Sequence, residues 1–254
     1  MLERFLVTEL FAFLLVFCRL GAAIMLLPGF GESYVSMRAR LLLAVTITIL
    51  ITPITQSYMP AVPSSPLSLG VLIGTEITIG VFIGMLSRIL LSAMHTAGML
   101  IAFQSGLSAA LMFDPNAGTQ GSPFGTLLSL AAIMLIFALD LHHVMLSAVA
   151  DSYSLFPAGQ FIPIGDFVMM ATQVVSSGFT IAFLFAAPHI VIGMMVYLGS
   201  GILARLMPNM QVFFVIMPLQ ITVSFIILAL SISSALLVYM SYFENSLTSF
   251  LLPR

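Results

Sequence analysis

Ionisable side chains are scarce in this sequence, and those set inside apolar runs need either a reaction or a partner to explain them. Glu76 and Arg88 are the clearest pair. Both lie in one long hydrophobic stretch, where an arginine at mid-bilayer costs about 2.5 to 3.5 kcal/mol even on permissive scales. Neither is expected to face lipid. Their separation along an ideal helix turns them roughly 120 degrees apart, so each is expected to meet a partner on another element or subunit. An intramembrane carboxylate is also an ion ligand in waiting. A small-solute or ion transporter is therefore the alternative reading, and Pro188 and Pro218 add to it by interrupting later helices.

Asp140, His142 and His143 bring carboxylate and imidazole together, the chemistry of a metal ligand set or a proton relay. The spacing speaks against both. Adjacent histidines on a helix point about 100 degrees apart, and no His-x-x-x-His or cysteine-rich partner accompanies them. A role at a membrane boundary is expected, with no metal and no cofactor. His95 and His189 stand alone, and Cys18 reads as a small buried hydrophobe with no second cysteine to pair with. G-x-S-x-G, H-E-x-x-H and G-x-x-x-x-G-K-[ST] arrangements are missing, so hydrolase, metalloprotease and nucleotide-driven activities have no anchor. The chain is read as no enzyme. An intramembrane enzyme would need Asp140 and His142 to converge with ligands from elsewhere.

Composition decides what holds these residues. Of 254 residues, 61% are hydrophobic and 6% charged, too few charges to clothe a water-soluble domain. An all-α integral membrane protein is expected, its residues 1–254 forming one membrane-embedded domain. Seven basic residues, all arginine, against nine acids give a net charge of -2, so no basic stripe exists to hold nucleic acid. A cleaved leader is not expected at the N-terminus, because Glu3 and Glu9 dilute Arg4, Arg19 interrupts the apolar run, and no small-x-small site follows.

Six hydrophobic segments are read. The first runs from Leu10 to Leu27 and stops at Pro28-Gly29; the second runs from Leu41 to Thr52, or to Thr55 across Pro53, and is marginal as an independent span. No proline interrupts the chain from Leu67 to Asp114, which as one helix would reach roughly 70 Å, or would divide near Gly98 or Gly106. Phe124 to Leu139 follows, ended by Asp140, and then a helix continuation and loop to Asp166. Phe167 to Leu203 carries a kink at Pro188, and Val212 to Tyr242 precedes a short polar tail from Glu244. Placing Arg38, Arg40 and Arg205 on the cytoplasmic side would put both termini outside. Such uneven lengths point to protein neighbours around much of the chain.

Stepping from Glu76 at helical spacing reaches Gly80, Ile83, Ser87, Met94, Gly98, Ile101 and Ser105, a small-residue face suited to close helix approach. Glu76, Gly80, Gly84, Ser87, Arg88 and Gly98 are the candidate packing residues. Gly70-x-x-x-Gly74 and Gly80-x-x-x-Gly84 carry the same pattern. Met112 and Phe113 stand just before the Asp114-Pro115 break, and a flexible, polarizable methionine there suits a constriction that must deform around polypeptides.

The run Gly201-Ile202-Leu203-Ala204-Arg205-Leu206-Met207-Pro208-Asn209-Met210-Gln211-Val212-Phe213, with Pro218-Leu219-Gln220 after it, resembles the C-terminal signature of the FliR/SctT family of type III secretion export-gate proteins. Leu27-Pro28-Gly29-Phe30-Gly31 leading to Arg38-x-Arg40, and Gly98 through Gln104-x-Gly106-Leu107 to Asp114-Pro115, are similar to the family in the expected order. Gly201, Arg205, Pro208, Val212, Phe213 and Pro218 are the signature positions. The resemblance implies a non-catalytic subunit that joins FliP and FliQ, with FlhB and FlhA nearby, in a helical gate in the bacterial inner membrane at the flagellar basal body. Unfolded flagellar polypeptides would leave through it. It also implies tilted or broken helical hairpins, a FliP-like part over about 1–165, a FliQ-like part over about 166–254, and contact with membrane lipid.

Overall fold

A computed structural model describes residues 2–108, 122–160, 164–209 and 211–251. The described residues form helices and turns without strands: α1 (Leu2–Ile24), α2 (Met37–Thr55), α3 (Pro66–Gln104), α4 (Pro123–Ala138), α5 (Leu141–Leu155), α6 (Ile164–Leu206) and α7 (Val212–Leu251). Five helices among them are long and apolar enough to cross a membrane, or six if the bent pair α4 and α5 counts as one crossing. At 1.5 Å per residue, α3, α6 and α7 reach about 58, 64 and 60 Å, roughly twice a hydrocarbon core of about 30 Å.

The boundaries depart from the hydrophobic runs for local reasons. Ser36 caps α2 by accepting a hydrogen bond from the Ala39 amide, so the helix starts four residues before Leu41 and takes in Arg38 and Arg40. A 3-10 turn over Gln56–Tyr58 extends it, and the segment read as marginal is long enough to span. The helices continue through Pro188 and Pro218. The polar tail after Tyr242 is also helical, since Phe243, Ser246 and Leu247 are buried and hold it in place.

Two compact units arise from this chain. One comprises Met1–Leu90, Ile136–Val175 and Phe243–Arg254; the other comprises Leu91–Leu135 and Ser176–Tyr242. In the first, Phe11, Leu15, Leu20, Ile24, Ile83 and Leu90 form part of the core, together with Met145, Val149 and Tyr153. Leu128, Ile136, Phe185 and Leu228 are likewise buried, yet Leu67, Met134 and Leu230 are 80%, 72% and 81% exposed. Apolar surface on that scale has to be covered by lipid or by other protein.

The corner between α4 and α5 bends by 76°. Asp140 makes it by adopting a left-handed conformation at φ 57, which aspartate tolerates better than most side chains, and its carbonyl accepts the His143 amide at 3.0 Å. Phe137 beside this corner receives Phe30 edge-on at 5.4 Å between ring centroids. Gly29, at φ 81, lets that happen, because a Cβ there would run into the Phe137 ring. Gly29→Ala is therefore expected to lower the unfolding midpoint of the detergent-solubilised protein, at a cost of at least about 1 kcal/mol for the left-handed backbone alone. Gly70→Ala, facing open space within α3, is expected to leave it unchanged or raise it, and equal losses at both positions would contradict this account.

Candidate functional site

Arg19 on α1 and Glu76 on α3 form an ion pair whose side chains are both fully buried. The guanidinium grips the carboxylate at both ends: Nε donates to Oε2 at 2.8 Å and Nη2 to Oε1 at 3.0 Å. Nη1 donates to the Ser152 hydroxyl at 3.1 Å, and Nη2 also reaches the Phe156 carbonyl at 2.8 Å. Tyr153 closes the cluster. Its hydroxyl donates to Glu76 Oε2 at 3.2 Å, and its ring lies 3.7 Å from the guanidinium carbon. A bidentate carboxylate, a hydroxyl, a carbonyl and an aromatic face supply what a desolvated guanidinium requires.

The same face of α3 carries the small residues that let α1 approach. A Cβ on Gly80 would fall on the Arg19 carbonyl, 3.0 Å from the Ala22 methyl, and one on Gly84 would lie 2.7 Å from Leu26 Cβ and 2.9 Å from the Ala23 carbonyl. Ser87 is buried on this face and turns its hydroxyl back to the Ile83 carbonyl at 3.2 Å. Arg88 lies off it, half exposed, near Glu32 at 3.7 Å and the Leu26 carbonyl at 3.4 Å. Gly70 and Gly74 share the spacing of Gly80 and Gly84 but have no neighbour within 4 Å. The opening turns of α3 instead border an apolar groove of about 630 Å³ lined by Val71, Leu72, Phe82, Ile164 and Phe167 among others.

In the second unit, Gly98 faces Gly125 of α4 so closely that a Cβ on Gly98 would strike the Gly125 backbone, and one on Gly125 would crowd His95. Ser122 locks this contact by donating to the Gly98 carbonyl at 3.1 Å while accepting the Gly125 amide at 3.1 Å. His95 lines it, 2.8 Å from where a Gly125 Cβ would stand. Met94, Ile101 and Ser105 are buried as well. The whole row read from Glu76 to Ser105 is thus interior.

Asp140, His142 and His143 are closer together than helical spacing alone implies. The left-handed residue at 140 breaks the helix, and one ligand atom from each lies within 4.8 Å of the others, with Asp140 and His143 exposed. Met112, Phe113, Asp114 and Pro115 lie outside the described residues. Among the signature positions, Gly201, Arg205, Pro208 and Pro218 are exposed and Val212 is partly buried; the side chain of Phe213 lies outside the described residues. Arg205 stands in the last turn of α6, where a cation complements the helix dipole.

Sequence reasoning missed Arg19, Ser152 and Tyr153. Arg19 interrupts an apolar helix as Glu76 does, and the opposite sign of the two charges was the available signal.

Residues 10–246 match the family model described as bacterial export proteins, family 1. The chain is 34% identical to the flagellar biosynthetic protein FliR of Caulobacter vibrioides, over 93% of this chain and 94% of that protein. It is 31% identical to the protein of the same name from Bacillus subtilis, over 92% and 90%. A Yop proteins translocation protein T from Yersinia pestis is 28% identical over 67% of this chain and 69% of its own length.

Glu76→Gln strands a buried guanidinium and is expected to cost about 3 to 5 kcal/mol of stability. Replacing both partners, Arg19→Met with Glu76→Met, is expected to recover most of that loss, because no charge is left without its counterpart. Denaturant unfolding in detergent checks this: a double replacement as damaging as the single one would contradict the charge-pairing explanation.

Proposed function

The chain belongs to the bacterial export proteins, family 1, and from that membership we propose that it is a non-catalytic subunit of the flagellar type III protein export gate. The observation that carries this reading is the family match over residues 10–246 together with relatives that align along nearly their full length. With FliP and FliQ the chain forms the channel through which unfolded flagellar polypeptides cross the bacterial inner membrane, with FlhB and FlhA alongside, at the base of the flagellum. Residues 1–165 act as a FliP-like part and residues 166–254 as a FliQ-like part. Exposed apolar faces on α2, α6 and α7, and an open Gly70–Gly74 face, suit a chain whose neighbours are supplied by lipid and other subunits.

Within that role the glycine contacts and the Arg19–Glu76 cluster hold the subunit in one shape, and Met112 to Pro115 contribute to closing the lumen. The transporter alternative loses its main support, because both oxygens of Glu76 are occupied by Arg19 and Tyr153. Loss of this chain from the cells that encode it is expected to abolish export of flagellar subunits. Met112→Ala with Phe113→Ala is expected to leave the gate assembled but leaky to small ions in planar-bilayer recordings; unchanged conductance in an assembled gate would remove the constriction role.

A further inference from the structure

A helix ends in carbonyls that no intrahelical amide reaches, and inside a membrane no water stands in for the missing donors. At the end of α3 each has been given one. The Ser105 amide donates to the Ile101 carbonyl at 2.8 Å, the Ser105 hydroxyl to Ala102 at 3.0 Å, and the Gly106 amide to Phe103 at 3.3 Å. The last, the Gln104 carbonyl, is capped from another helix by Nε2 of the buried Gln220 on α7. From α6, Gly193 meets the same residue: a Cβ there would lie 2.8 Å from Gln104 Oε1 and 3.2 Å from its carbonyl oxygen. Gly106 then turns the chain at φ 73, and the Leu107 amide donates to the Ser105 hydroxyl at 3.3 Å. Beside Gly106 and Gln220 lies a pocket of about 200 Å³ that Gly201 and Val212 help to wall, so two signature residues border this joint.

We propose that Gln220 is a positioning residue of the gate: its amide caps α3 from α7 and fixes the point at which the chain leaves that helix at Gly106. A purely packing role would need bulk at this position and no donor. The effect on conduction rests on the reading of Met112 to Pro115 as part of the closure, whereas the cap itself does not.

Gln220→Leu and Gln220→Met remove the donor at similar size, and Gln220→Lys keeps one and suits the negative end of a helix. In gates purified with FliP and FliQ, the Leu and Met variants are expected to assemble at wild-type yield. Their Ser105 and Gly106 amides should exchange about tenfold faster, as the loss of one buried hydrogen bond implies, and the gates should leak ions. Gln220→Lys should restore slow exchange and a tight gate. Unchanged exchange in the Leu and Met variants, failure of both to assemble, or a Lys variant that behaves like Leu would each overturn the proposal. Faster exchange without leakage, alongside leakage from Met112→Ala with Phe113→Ala, would overturn its conductive half. A tight Met112→Ala with Phe113→Ala gate would instead sink the constriction reading and leave the exchange rates to decide the cap.

Discussion

A guanidinium taken out of water has to be met by charge and by hydrogen-bond acceptors, and that requirement fixes where α1, α3 and α5 can stand. Arg19 reaches Glu76 on α3, Ser152 on α5 and the carbonyl of Phe156 just beyond it, while Tyr153 covers its face. Moving any of these elements by a helical turn would strand a buried charge, at a cost of several kcal/mol. Dispersion among apolar side chains could not choose between such registers alone, because lipid and core are equally apolar. The ion cluster supplies specificity, and the glycines at 80 and 84 supply the room for it.

The second unit solves its register with neutral groups. Glycine meets glycine at positions 98 and 125, Ser122 ties the two backbones, and Gln220 reaches the end of α3. His189 on α6 adds a contact at 3.3 Å between Nε2 and the Ser224 carbonyl on α7. Neither unit covers its outer apolar surface. A chain with 6% charged residues and three helices about twice as long as a hydrocarbon core is thick is completed by what surrounds it, which agrees with its place among export-apparatus proteins.

Much of this was legible in the residues, and the remainder fails for identifiable reasons. The helical class and the long apolar segments follow from composition, and the interior row from Glu76 to Ser105 follows from helical periodicity. Glu76 plainly needed a partner, but the partner lies 57 residues away and no periodicity reaches that far. Arg19 likewise interrupts an apolar run, and nothing near it in the sequence marks the carboxylate it meets. Gly70 and Gly74 carry the same local pattern as Gly80 and Gly84, yet only the latter pair faces α1; spacing describes a face and not its neighbour. Helical spacing sets only backbone directions: His142 and His143 are neighbours within α5 whose ring centroids nevertheless lie 4.0 Å apart, and the left-handed backbone at Asp140, just before that helix, is what sets the carboxylate beside them. The signature from Gly201 to Pro218 identified the family, while the exposure of Gly201, Arg205, Pro208 and Pro218 shows that these four residues do not fill this chain's own core.

The central claim is that this chain is one part of a larger export gate. Purification of the tagged protein from its native cells in gentle detergent, with mass spectrometry of all that remains bound, tests it most directly. The account predicts FliP and FliQ in a single stable particle with the chain. A stable, monodisperse particle that contains neither, and that binds or conducts a small solute by itself, would contradict it.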